Sequence, residues 1–375
     1  MKNKFRPTER PTEIHEIKTF KDFLSKAISL RNCTIRNIDF TSVEISWENV
    51  EIDHSIFIAC HFTPQDLSIL TERGAIIFNE PTTLPYEVYR NALYNYQELN
   101  EVIEGKTRDE HIYNHFSTYR NLRNINESLW QKSHDHAIDE SLLDLLDEKK
   151  SGVQRKCVGF MGGHSILRNS PEFWQCAELA WRVSKAGYFV ITGGGPGIME
   201  AANMGAYFAN YELEDLHDAI ESFQHAASYK DDNYEQLAQA LIKKYPKGQE
   251  SLAIPTWFYG HEPSNAFAQH IAKYFSNANR EETLLAIAIH GVIYCPGSAG
   301  TIQEVFADAA QNHYTTYEYV SPMVFFGIDY FTKQLPVQSL LNNLSKDKPY
   351  EKSIKFTDDQ EEVVKFLIDH PPYTL

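Results

Sequence analysis

Cysteine is scarce in this chain and never paired. The 375 residues contain five, Cys33, Cys60, Cys157, Cys176 and Cys295, scattered, odd in number and without a CxxC spacing. That excludes a disulfide framework and a cysteine-based zinc site. Long apolar runs are missing too, and no stretch approaches the ~20 residues a membrane helix needs. The start, Met1 to Pro7, is polar with no apolar core behind it. No secretory signal is therefore expected, and the expected location is the cytoplasm. Basic residues are outnumbered, 35 Lys and Arg against 51 Asp and Glu, for a formal net charge of -16. Phosphate backbones are held by clustered Lys and Arg, so no nucleic acid and no membrane surface is expected as a partner. A small anion held by backbone amides and one or two arginines is compatible with this balance.

What is present reads as a globular protein, with 42% hydrophobic and 23% charged residues. The length suits two domains, or one large domain with an accessory region. Residues 1–100 are expected to be a β-rich accessory region. Ile35, Ile38, Phe40, Val43, Ile45 and Trp47 come mostly in alternation, and Val50, Ile52, Ile56, Ile58, Cys60 and Phe62 continue it. A five-residue spacing hints at a solenoid but then lengthens, so the reading is a small β region. A short helix from Pro64 to Arg73 and a strand from Gly74 to Phe78 follow. Residues 101–152 read as a charge-rich helical connector. His111 and His115 stand four apart, as metal ligands do, but no third ligand follows, which favours surface or interface histidines. Ser133 or Asp135 suits a helix cap; the sharper alternative sends His134 and His136 into a ligand cleft.

From 153 to 375 strands and helices alternate. The strands are expected at 156–161, 188–192, 251–258, 291–295, 323–327 and 353–356. Ser170-Pro-Glu172 opens the first helix. Residues 211–249 read as an inserted helical pair, and helices are expected over 265–277 and 280–290. This rhythm predicts an α/β fold, a doubly wound parallel sheet with helices on both faces, joined to a small N-terminal β/α region. Ligands bind such sheets at the carboxyl ends of the strands.

Two glycine-rich turns fall there. They are Thr192-Gly-Gly-Gly-Pro-Gly-Ile-Met-Glu200 and Pro296-Gly-Ser-Ala-Gly-Thr-Ile-Gln-Glu304. Each joins an apolar strand to a helix and exposes amides at the helix's positive end, which binds a phosphate without a lysine. Neither is a dinucleotide fingerprint, because Ile198 stands where a glycine or alanine belongs, nor an ATP-type loop, because no Gly-Lys-Ser/Thr follows Gly297. Glycine also serves tight turns for steric reasons alone. Glu304 follows on the second helix and points back toward its start. A carboxylate there stabilises positive charge developing on a sugar ring; its plainer alternative is an acid favoured by the helix macrodipole. Arg280, at the start of the preceding helix, is placed to clamp phosphate or ribose oxygens, or else to pair with Glu281 or Glu282.

These residues resemble the Lonely Guy (LOG) family, often mislabelled as lysine decarboxylases, whose hallmarks are a GGGxxGxM turn and a PGGxGTxxE motif. The resemblance covers about Lys156 to Phe326. It implies a Rossmann-like fold, a homodimer or higher homo-oligomer, and hydrolysis of nucleoside 5′-monophosphates to a free base and ribose 5-phosphate. Substrates in the family include cytokinin nucleotides and ordinary purine or pyrimidine nucleotides. By position Glu304 is similar to the catalytic glutamate and Arg280 to the catalytic arginine, one residue further from Pro296 than the family spacing. Gly193, Gly194, Gly195, Gly297, Gly300 and Thr301 correspond to phosphate and ribose contacts. Gly163, Ser165, Thr192, Gly197, Met199, Glu200, Ser298 and Ala299 complete the expected substrate-binding set. Ser298 replaces the second glycine of the motif. No metal and no cofactor is expected. Decarboxylation has little support, since neither turn has a lysine beside it to hold an electron-sink cofactor. The competing expectation is a non-catalytic nucleotide-binding or sensing protein.

Overall fold

The computed structural model describes residues 12–374 apart from positions 80, 82 and 123. It opens with four short parallel strands, β1 (Glu13–Ile14), β2 (Thr34–Arg36), β3 (Ile56–Ile58) and β4 (Ile76–Phe78), stacked in chain order. The register runs from Glu13 to Thr34 to Ile56 to Ile76, one strand in each successive coil of chain. Left-handed backbone recurs at equivalent corners, Asn32 with His54 and Asn37 with Ala59. Phe20, Phe40, Trp47 and Phe57 pack edge to face inside the coils. The alternation therefore belongs to a short stack of parallel coils.

A hairpin of β5 (Val102–Ile103) and β6 (Lys106–Thr107) follows, then helices Arg108–Tyr119 and Ile125–Leu146. The first is closed by a capping box between Thr107 and Glu110. Ser133 and Asp135 do not cap the second. Both lie well inside it, because Asn124 starts the helix by accepting from the amides of Asn126 and Glu127.

The main sheet contains β7 (Cys157–Met161), β8 (Phe189–Thr192), β9 (Leu252–Ala253), β10 (His270–Ile271), β11 (Val292–Tyr294), β12 (Met323–Phe326) and β13 (Ile354–Thr357). Their order is β10-β9-β8-β7-β11-β12-β13, every pair parallel. This is the Rossmann-like α/β architecture. Alternate residues feed two cores: Cys157 and Met161 face one, Val158 and Phe160 the other. Both faces are thus buried, which is why the central strands read as continuous apolar runs. On one face helix Pro171–Lys185 packs against helix Ile198–Tyr207. The other is covered by helices Asn277–Ile287, Ala299–Tyr314 and Val337–Ser345 together with the connector helix Ile125–Leu146. Strand order reverses between β7 and β11, which opens a crevice at their carboxyl ends.

The helix expected over 265–277 is absent. That segment is extended, forms β10, and is held on its two sides by β9 and by Tyr94, which exchanges backbone hydrogen bonds of 3.0 and 2.8 Å with Ile271. Its apolar residues recur at a helical interval only because Phe267 serves one core while Ile271 and Tyr274 serve the other. Partners brought from distant segments override the local pattern. Among the described residues no helix is long and apolar enough to cross a membrane.

Candidate active site

Three turns meet at the carboxyl ends of β7, β8 and β11, and Gly163 joins them. Its amide donates to the Pro296 carbonyl at 3.0 Å, and its own carbonyl accepts from the Ile198 amide at 3.1 Å. Gly197, with φ 72°, brings its Cα so close to the Gly163 carbonyl that any Cβ would overlap it. In the second turn Tyr330 donates to the Gly297 carbonyl and braces the loop from behind.

The two helix starts differ in what they offer a ligand. At helix Ile198–Tyr207 the Ile198 amide is already used by Gly163, and the Glu262 carboxylate lies against Gly195. At helix Ala299–Tyr314 the N-cap Ser298 makes no side-chain capping bond, and the first turn carries no acid. A Cβ at position 300 would meet nothing within 4 Å among the described residues. The second start is therefore the better anion site, with amides and the positive helix end facing open space. Ser298 has φ -131° and ψ -151°, an extended conformation open to any residue, so its departure from glycine carries no backbone strain.

Arg280 is set by two distant elements. Its helix, Asn277–Ile287, begins where the Asp135 carboxylate accepts the amides of Phe275 at 2.9 Å and Ser276 at 2.8 Å. Asp135 thus holds the two residues leading into a helix other than its own, whose first turn is capped by Ser276. The Arg280 side chain then reaches the crevice, where Nε donates to the Ile254 carbonyl at 2.8 Å and Nη2 to that of Gly193 at 3.2 Å. Any side chain at 193 would overlap Nη2, which ties this glycine to the arginine. Nη1 lies 3.4 Å from Oε1 of Glu304. The extra residue before Pro296 does not keep Arg280 out of the crevice. Glu281 and Glu282 are not its partners: Glu281 bonds Asn277 and Gln303, and Glu282 bonds Tyr317.

Glu304 sits in the second turn of its helix, its side chain 13% exposed. Burial pushes its carboxyl above the usual range, Arg280 pulls it down, Glu281 pushes it up, and the net direction is upward. The upward shift makes this carboxylate a stronger proton acceptor than an ordinary glutamate, and its negative charge can stabilise a cation that forms beside it.

Arg280 and Glu304 line a cavity of about 640 Å³, together with Gly163, Gly193, Gly194, Gly195, Met199, Ser298, Ala299, Gly300 and Thr301. That is a small-molecule volume. The other expected contacts lie outside its wall. Thr192 is buried, donating to Asn203 and accepting from the Gly194 amide. Gly197 and Gly297 shape the turns. Ser165 lines a smaller neighbouring cavity. Glu200 is spent on Arg168: Nε of the arginine donates to it at 2.9 Å, and Tyr234 of the insert donates to the same oxygen. This buried cluster fastens residues 211–249 to the first turn, and from there Tyr229 reaches the cavity.

Glu262, Ser264, Lys273, Tyr259 and Gln303 also line the cavity, although no motif singled them out. His134 and His136 do not line it. His134 is buried against Tyr94, whose hydroxyl lies 2.9 Å from Nε2, and His136 is exposed at the surface. His111 and His115 bind separate partners, the Ile103 carbonyl and Glu127. Among the described residues no cluster of metal-ligating side chains occurs.

No family model matches the sequence, and no curated protein matches it. Among solved structures the chain is similar to the molybdenum cofactor binding protein of the phototrophic bacterium Rippkaea orientalis. The TM-score is 0.37 and the identity 16%, over 58% of this chain and 98% of that one. It is also similar to the molybdenum cofactor carrier protein of Chlamydomonas reinhardtii, with TM-score 0.38 and identity 13%, over 58% of this chain and all of that one. Function is read from the cavity itself.

Proposed function

We propose that this chain hydrolyses the N-glycosidic bond of a nucleoside 5′-monophosphate, releasing a free base and ribose 5-phosphate. The observation that carries the reading is the Arg280–Glu304 pair, set between an uncapped helix start and the first glycine turn. The phosphate takes the amides of 299–301, and the ribose lies along Glu304. As the bond from C1′ to the base nitrogen breaks, its electron pair leaves with the base and positive charge builds on the ring. The Glu304 carboxylate stabilises that charge and takes a proton from the attacking water, whose oxygen bonds to C1′. The departing base nitrogen takes a proton from solvent and Glu304 returns its proton to solvent, so that one water is divided between sugar and base. Arg280, anchored by two backbone carbonyls, holds the carboxylate in place.

Chromatography of a panel of nucleoside monophosphates incubated with the protein tests this reading. Base release is expected from at least one, with Glu304→Gln slower by about 10²–10⁴-fold. No release from any nucleotide, or equal rates in the variant, refutes it. A second reading, a non-catalytic nucleotide-binding protein, is favoured by Arg280 having all three guanidinium nitrogens already bonded within the protein. Nucleotide binding by calorimetry without any product supports that alternative.

A further inference from the structure

At the end of the cavity formed by the β9–β10 edge, three polar side chains retain hydrogen-bonding capacity. Lys273 is 3% exposed and lines the wall; its ammonium donates to Asp109 at 2.8 Å. An ammonium carries three donors, and among the described residues this is the only hydrogen bond Lys273 makes. Ser264 is 8% exposed and lines the same wall, and its hydroxyl has no partner among the described residues. The Glu262 carboxylate reaches the Gly195 backbone and has no ion pair or hydrogen bond among the described residues. A buried hydroxyl without a partner costs about 1–3 kcal/mol, so its position on a cavity wall points to a ligand.

The charge at this end limits what it can hold. Asp109 comes from the connector helix Arg108–Tyr119 and is 2% exposed. Trp257 donates to it at 2.8 Å, and His261 lies 3.3 Å away. Burial pushes this carboxyl up, but Lys273 and His261 outweigh it and hold the carboxyl below its usual range. Asp109 thus neutralises the Lys273 ammonium, and Glu262 adds an uncompensated negative charge. A second phosphate is disfavoured here, and so is an apolar substituent, which would strand all three polar groups. A neutral group offering both an acceptor and a donor fits.

Building on the nucleotide reading above, we propose that Lys273, Ser264 and Glu262 form a base-reading subsite for the lactam edge of a 6-keto purine. Lys273 donates to the carbonyl oxygen, Glu262 accepts from the adjacent ring N–H, and Ser264 completes the edge. An amino group at the 6-position would set donor against donor at Lys273. The connector then completes the site, since Asp109 aims the lysine.

The test is calorimetry on the full chain in a Glu304→Gln background. The probes are inosine monophosphate, purine riboside 5′-monophosphate, which lacks both the 6-oxygen and the N1–H of the lactam, and ribose 5-phosphate. Inosine monophosphate is expected to bind about a hundredfold or more tighter than the purine analogue, the effect of two hydrogen bonds to charged groups. Lys273→Met should narrow that gap to about tenfold, the share of the Glu262 contact, and leave ribose 5-phosphate affinity unchanged. The paired variant Asp109→Asn/Lys273→Met avoids stranding a buried carboxylate and should behave alike. Ser264→Ala, which removes only a hydroxyl, should narrow the gap. Equal binding of the two nucleotides, a gap that Lys273→Met does not narrow, or a parallel loss of ribose 5-phosphate affinity overturns the subsite. If ribose 5-phosphate binds and the bases are not distinguished, only this subsite falls. If no probe binds, the nucleotide reading falls with it.

Discussion

Replacing Asp308 by Asn should stabilise the protein at high pH and not at low pH. Asp308 lies one turn beyond Glu304 on the same helix and is 2% exposed. Its oxygens accept from the Tyr294 hydroxyl at 2.8 Å and from the Asn312 amide at 3.3 Å. Burial pushes its carboxyl from 3.8 up to about 7, with the Tyr294 hydrogen bond opposing. Because the folded value lies above the unfolded one, the folded state binds more protons between those limits. The stability contributed by the protonated group is therefore complete below about pH 4 and is lost as pH rises through about 7. The full displacement is worth about 4 kcal/mol. Asn has the same shape, keeps an acceptor for Tyr294 and never ionises. Urea unfolding followed by tryptophan fluorescence should show Asp308→Asn more stable than wild type by about 2–4 kcal/mol near pH 8, the gap shrinking to under about 1 kcal/mol near pH 4.5. Asp139, also pushed up to about 7 by burial, titrates in both proteins and cancels in the difference. A variant less stable near pH 8, or a gap independent of pH, refutes the reasoning.

Other elements give further tests. Asp135→Ala removes the acceptor of the buried Phe275 amide and of the half-buried Ser276 amide and should cost about 1–4 kcal/mol in urea unfolding. It should also slow base release, since the helix carrying Arg280 loses its fixed start; unchanged stability counts against the hydrogen bonds from the connector. Arg168→Met strands Glu200 in the interior and should cost about 3–5 kcal/mol. Limited proteolysis should then cut faster within 226–233, and an unchanged cleavage rate means the insert is fastened by something else.

The periodic part of the chain was legible in the sequence. Ser170-Pro-Glu172 starts a helix as its capping chemistry requires, with Ser170 accepting from the Phe173 amide. The runs before both glycine turns are strands because a two-sided buried strand is apolar along its whole length. The two turns were legible as strand-to-helix joints for the same local reason. Asp135, in contrast, looked like the cap of its own helix. Its carboxylate instead accepts the amides of Phe275 and Ser276 ahead of a distant helix that Ser276 itself caps, because tertiary packing brings that segment within reach.

By itself the sequence determined the strands, turns and helix starts around the two glycine loops, and which residues near those loops carry charge. Those properties depend on neighbours within a few positions, so they survive in a short window. The tertiary structure alone decided that 265–276 is not a helix and that His270–Ile271 form a strand, since the hydrogen-bond partners of this segment include Tyr94. It alone decided that Arg280 faces Glu304 instead of its sequence neighbours. It likewise brought Lys273 against Asp109 from the far side of the chain. Each of these depends on contacts between segments far apart in sequence, and such contacts are settled only when the sheet order and the packing of both faces are complete.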